Sequence, residues 1–179
     1  MKLIFMIILI LVLGGFLRFD RISELMPFIG DQGWFYLSAR DMILTGEIPL
    51  VGPQTSHPWI HHGALWTYAL GIMLSVFSFD PIVPAYFMAG LGTVTILLLY
   101  LIAKSMFGIK VAFLASILYA ASPLIVMNAR IPYHTSPIPF FVIVLFFLTY
   151  RWIRGNVGVF PVITFLLGVL YNHEITTFV

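Results

Sequence analysis

Hydrophobic and polar positions along this chain fall in long blocks. Apolar runs cover 3–17, 63–79, 81–103, 111–127, 138–153 and 157–171, each close to the roughly 20 residues that a helix needs to cross hydrocarbon. None of the runs alternates with period 2, as the strands of a closed barrel would. The pattern therefore predicts an all-α, polytopic transmembrane helical bundle, with residues 1–179 forming part of a single domain and a long polar loop over 18–62. Within that loop, Gly30 to Leu44 predicts a short helix that starts near Asp31 and stops at Gly46. Phe35, Ala39, Met42 and Ile43 share one of its faces, and Tyr36 and Arg40 share another. Such a helix suits the membrane interface, with Trp34 and Tyr36 as anchors. Pro81 and Pro84 open their run, where a helix tolerates proline, whereas Pro123 lies inside one and predicts a kink. Ala89, Gly90 and Gly92 offer a face for close helix contact.

Composition supports this reading. Hydrophobic residues make up 61% of the chain and charged ones 9%, against about 25% charged in a soluble domain. The absence of cysteine removes disulfides, thiolate nucleophiles and cysteine metal sites together. A net charge of +2 is too small to suggest nucleic acid as a partner. The basic start at Lys2 and the first run lack a small-x-small cleavage site before Arg18, so they read as a signal anchor that keeps Lys2 inside and sends Arg18 outward.

Charge also constrains topology. If 63–79 crosses fully, Lys104, Lys110, Arg151 and Arg154 all fall outside, against the positive-inside bias. If 63–103 instead makes an odd number of crossings, with its shorter first half only partly inserted, those four cations return to the cytoplasmic side. Loop 18–62, loop 128–137 and the Asn172-His173-Glu174 turn then share one outer face. Ile175 to Val179 looks like the edge of a further hydrophobic element, and the chain reads as an amino-terminal fragment whose bundle needs more spans.

Charges are costly in lipid, so the places where they gather are informative. Asp20, Glu24, Asp31, Asp41 and Glu47, with His57, His61 and His62, all lie in loop 18–62. A loop so long and polar is seldom a mere connector. Asp31 at a helix start has a bland alternative as an N-cap. His57, His61, His62 and Glu47 are the ligand types of a zinc site, but adjacent histidines do not place two ligands at i and i+4 of one helix, so no metal site is assigned.

The order of motifs carries more than any single residue. Asp31-Gln32 opens an interfacial helix with Tyr36, a Pro/Gly turn follows, and the chain re-enters at His61-His62-Gly63-Ala64-Leu65. Ala121-Ser122-Pro123 then precedes Ala129-Arg130-Ile131-Pro132-Tyr133-His134, and Gly168-Val169-Leu170-Tyr171-Asn172-His173-Glu174 closes the chain's last run. This series resembles the GT-C class of polyprenyl-phosphate-sugar glycosyltransferases, in the branch of protein O-mannosyltransferases and lipid A aminoarabinose transferases. Gln32 stands where that branch has a second acid, and His134 where many relatives have Asp.

The resemblance implies an inverting membrane glycosyltransferase of the cell envelope. It would move a sugar from a polyprenyl phosphate to a hydroxyl or amine of a protein, lipid or glycan at the outer face of a prokaryotic plasma membrane. It implies Asp31 as the catalytic base and a fixed positive charge for the departing phosphate, with Arg130 first, Arg40 second, and His134 and His173 as further donors. Gln32, Tyr36, His61, His62 and Glu174 are the expected substrate contacts. Beyond the donor lipid no cofactor is assigned, a divalent metal is not favoured, and the fragment alone would be inactive. The rival class is a polytopic transporter or lipid flippase without transferase activity. Such proteins usually place ionisable or helix-breaking residues in mid-span, and these runs lack mid-span charges.

Overall fold

The computed structural model describes residues 2–57 and 59–174, so the expected element at Ile175–Val179 lies outside the described residues. All regular structure among them is helical, apart from one isolated antiparallel bridge between Gln54 and His61. The helices in chain order are α1 (Lys2–Phe19), α2 (Ile22–Leu25), α3 (Gly30–Thr45), α4 (Leu65–Val76), α5 (Val83–Phe107), α6 (Ile109–Ala121), α7 (Pro123–Asn128), α8 (Ile138–Ile153) and α9 (Phe160–His173). At 25 residues, α5 is the one described helix long and apolar enough to cross a membrane; α1, α4, α6, α8 and α9 are shorter apolar helices.

The run 111–127 is two helices, not one kinked span. Proline lacks an N–H and forces the preceding residue out of the helical region. Ser122 accordingly takes φ −64°, ψ 120°, which ends α6, and Pro123 sits in the first turn of α7.

Small residues let α1, α5 and α6 pack closely. Ile10 meets Ile96 and Ala120, while Ile7 and Phe113 pack against Tyr100, Ala103 and Ala112. A Cβ on Gly92 would lie 2.7 Å from that of Ala129 and 3.0 Å from Arg18 Nε, so only glycine admits the guanidinium at this point. The expected small-residue face of α5 is thus real at Gly92 and at Ala89, which buries Ile22 together with Ala85. Gly90 lies outside it, with only the Phe19 ring tip near its missing Cβ.

Two arginines fasten the ends of these helices. Arg18 is fully buried and donates to the carbonyls of Gly14 (2.9 Å), Ala120 (3.0 Å) and Tyr119 (3.3 Å). Tyr119 and Ala120 belong to the last turn of α6, whose carbonyls lack intrahelical partners and carry the negative end of the helix dipole. Arg130 does the same for α1, donating to Leu17 (3.2 Å) and Asp20 (2.7 Å). Arg18 therefore does not emerge into the polar loop as its sequence position suggests. Its guanidinium is held by three carbonyls, two in the last turn of α6 and that of Gly14 one turn back in α1.

Helix α4 runs beside α3, not across the bundle. Its first residue, Leu65, receives a side-chain cap from Asn172 at the end of α9, and the segment after its last turn meets α3 through the Tyr36 hydroxyl, which donates to the Pro81 carbonyl. Both ends of α4 thus lie at the α3 end of the molecule. Twelve residues give a length of about 18 Å.

Replacing Arg18 by Met leaves the Tyr119 and Ala120 carbonyls unpaired in an apolar setting, at about 1–3 kcal/mol for each. Thermal melts in detergent are expected to show a clear fall in the unfolding midpoint for Arg18→Met. Arg21→Ala, which removes only the exposed Arg21–Glu24 pair, should leave it within error.

Candidate active site

Four segments converge at the α3 end of the bundle: the start of α3, loop 53–62, loop 129–137 and the residue that follows α9. Between them lies a cavity of about 520 Å³, whose polar lining includes Asp31, His62, Tyr133, His134 and Glu174. That size is ordinary for a small-molecule site.

Local structure explains how each group arrives. At the start of α3 the N-cap position is Ile29, and Gln32 reaches back with its side-chain oxygen to accept the Ile29 N–H at 2.7 Å. Gln32 is fully buried in this role, capping the helix, and it is not among the residues that line the cavity. Asp31 is thereby released from capping. Its carboxylate stands exposed on the cavity rim and accepts a hydrogen bond from the Tyr133 hydroxyl at 3.2 Å. Phe35, on the next turn, is buried and forms the cavity's inner wall, with its ring centroid 5.3 Å from His62 and 5.0 Å from His134.

His62 and His61 are separated by the alternation of an extended strand. The Gln54–His61 bridge, with Gly52 and Pro53 bonded to the His62 backbone, turns His61 outward, where its Nδ1 lies 3.2 Å from the Gly52 carbonyl. His62 faces the cavity, its ring centroid 4.5 Å from that of His134. Behind it, the Asn172 side chain occupies the space a Cβ on Gly63 would fill, which holds the end of α9 against the start of α4.

His134 is only 2% exposed, and its Nε2 lies 3.1 Å from Glu174 Oε2. Burial outweighs the neighbouring carboxylate and pulls its pKa down to about 4, so near neutral pH this contact joins a neutral imidazole to Glu174. Burial likewise lowers His62, against the opposing pull of Glu174 and Asp31. Tyr133 is pushed up to about 12, first by burial and then by Asp31, so its hydroxyl remains a donor.

Several expected site residues lie elsewhere. Tyr36 is buried on the same face as Phe35, edge-on to Phe28, with its hydroxyl on Pro81; only Trp34 fits the exposed anchor expected of both aromatics. Arg40 is exposed on α3, and neither it nor Arg130 lines the cavity. Arg130 is committed to the end of α1. His173 is buried behind the site, stacked on Phe141 and near Trp66, and supports the backbone of His134 without lining the cavity. His57 stacks on Trp59, and Glu47, His57, His61 and His62 form no ligand cluster among the described residues. His62 instead joins His134 and Glu174 from two other loops. His62, His134 and Glu174 were each expected at the site, on three loops sharing one face, but neither Tyr133 nor their meeting as one cluster was foreseen, because that depends on how the helices pack.

The structure is an all-α bundle of apolar helices carrying a carboxylate and histidine cavity at one end. Residues 57–179, more than half of the chain, match the family described as dolichyl-phosphate-mannose-protein mannosyltransferase, and the chain belongs to that family. Its members are integral membrane glycosyltransferases of the GT-C class that draw on polyprenyl-phosphate sugars. Neither a curated protein nor a solved structure matches the chain.

Asn172→Ala should loosen the start of α4 by about 1 kcal/mol, the ordinary cost of a lost helix cap. Hydrogen exchange is the measurement: faster exchange is expected at the Leu65 amide, with little change in the middle of α5.

Proposed function

We propose that this chain carries the acceptor-activating half of an inverting membrane glycosyltransferase, with Asp31 as the base. The observation that carries this reading is the Asp31 carboxylate itself. It is free of helix capping, sits on the rim of a cavity, and is oriented by Tyr133. An acceptor hydroxyl or amine gives its proton to Asp31 and attacks the anomeric carbon of the donor sugar. The bond to the phosphate oxygen breaks on the opposite side, and polyprenyl phosphate departs. Family membership supports the donor class, and the cavity's size suits one sugar with its phosphate.

The distribution of charge supports an outward-facing cavity and a polytopic chain. All seven acids (Asp20, Glu24, Asp31, Asp41, Glu47, Asp80 and Glu174) belong to the α3 end of the molecule. Lys104, Lys110, Arg151 and Arg154 flank the turns at the opposite end, between α5 and α6 and after α8. With α4 lying alongside α3, α1, α5, α6, α8 and α9 cross in alternate directions, and the four cations fall on the cytoplasmic side as the positive-inside bias requires. Exposed Phe5, Leu9, Val12 and Phe16 on α1 suit contact with lipid.

Transfer from a labelled polyprenyl-phosphate mannose by the full-length protein tests the catalytic reading. Asp31→Asn is expected to lower kcat about 100-fold or more. Tyr133→Phe should lower it about tenfold with the donor KM unchanged, since a hydrogen bond to a charged group is lost while binding contacts remain. Undiminished turnover by Asp31→Asn would remove it from the mechanism.

The cysteine-free chain makes topology directly testable with an impermeant thiol reagent on intact cells. Ser56→Cys should label and Lys104→Cys should not; the reverse pattern would invert the orientation.

A further inference from the structure

We propose that His62, His134 and Glu174 form a site for one divalent first-row metal ion of the zinc class, with an open position facing the cavity. One ligand atom from each of the three lies within 4.8 Å of the others. Two imidazoles and one carboxylate, with a remaining position free, are the donor set of catalytic zinc sites and of related first-row metal centres.

The surroundings fit an ion better than they fit a self-contained polar cluster. His134 is almost wholly buried, yet its Nδ1 has no hydrogen-bond partner, and neither has the buried Nδ1 of His62. A buried polar group without a partner is costly. Two such groups on rings 4.5 Å apart indicate that the rings serve something besides the protein. Phe35 packs against both imidazoles, and the Gly52 and Pro53 backbone holds the His62 strand, so the donors are fixed in place. Charge points the same way. Asp31 and Glu174 both line the cavity, and no Lys or Arg is among its described lining residues. An anionic ligand would enter against two carboxylates unless a cation stood between them. A divalent ion on His62, His134 and Glu174 supplies that charge, and its open position lies where a donor phosphate oxygen would reach it. The ion site stands on this geometry alone, whereas its contact with phosphate rests on the transferase reading above.

The test uses purified full-length protein in detergent, stripped with a chelator and then titrated with Zn²⁺ against a chromogenic competitor. Co²⁺ serves as a spectroscopic substitute. One equivalent of Zn²⁺ per chain is expected, with affinity falling about tenfold or more in His62→Ala, in His134→Asn and in Glu174→Gln, the last of which keeps the side chain's size. His61→Ala, which alters only the outward-facing neighbour, should bind as the parent does. Absence of stoichiometric binding, or equal binding by the three variants in folded form as judged by circular dichroism, overturns the site. Adding a short-chain polyprenyl phosphate should shift the Co²⁺ absorption bands, and a spectrum indifferent to it overturns the open position. Metal binding without any sugar transfer by the parent protein would count against the transferase reading and leave the ion site standing.

Discussion

Helices packed in an apolar setting must find partners for the carbonyls at their ends, because neither lipid nor neighbouring side chains of the hydrocarbon type can supply them. In this chain two arginines meet that demand. Arg18 of α1 binds the last carbonyls of α6, and Arg130, just after α7, binds the last carbonyls of α1. The two contacts interlock, since each draws the segment carrying one arginine to the helix end served by the other. Pro123 makes this possible by ending α6 where its carbonyls are accessible. The result is a fixed origin for the loop 129–137, from which Tyr133 and His134 reach the start of α3.

That clasp changes the chemistry available to the cavity. An arginine close to the site in sequence is an attractive partner for a departing phosphate, and Arg130 has the right charge. Its hydrogen bonds, however, go to Leu17 and Asp20, and turning it toward the cavity would leave both carbonyls unpaired. In this arrangement Arg130 brings no positive charge to the cavity, while two carboxylates face that space.

What was legible in the sequence follows from which forces are local. The helical class, the α3 boundaries at Gly30 and Thr45 and the outward exposure of Trp34 rest on hydrophobic blocks, glycine at the helix end and local spacing, and these act within a few residues. The release of Asp31 from capping was less visible. Gln32 supplies the cap, and Asp31-Gln32 reads equally well with the acid in that role. The roles of Arg18 and Arg130 were hidden for another reason: apart from the Gly14 carbonyl, their partners lie 101 to 113 residues away in sequence. The separation of His61 from His62 depends on a single antiparallel bridge, which no helical periodicity can forecast.

The position of α4 joins the topology to the site. The two ends of α4 are held at the same end of the bundle by Asn172 and by the chain that meets Tyr36. Laying α4 beside α3 has two consequences that agree. The cations at the far end of α5, α6 and α8 share one side, and the loops bearing His62, His134 and Glu174 share the other. Had α4 crossed, its start and its end would lie on opposite faces, and His62 just before it could not stand beside both Phe35 and His134 while α3 and α5 keep their contacts. The arrangement that satisfies the charge bias is therefore the same one that assembles the cavity.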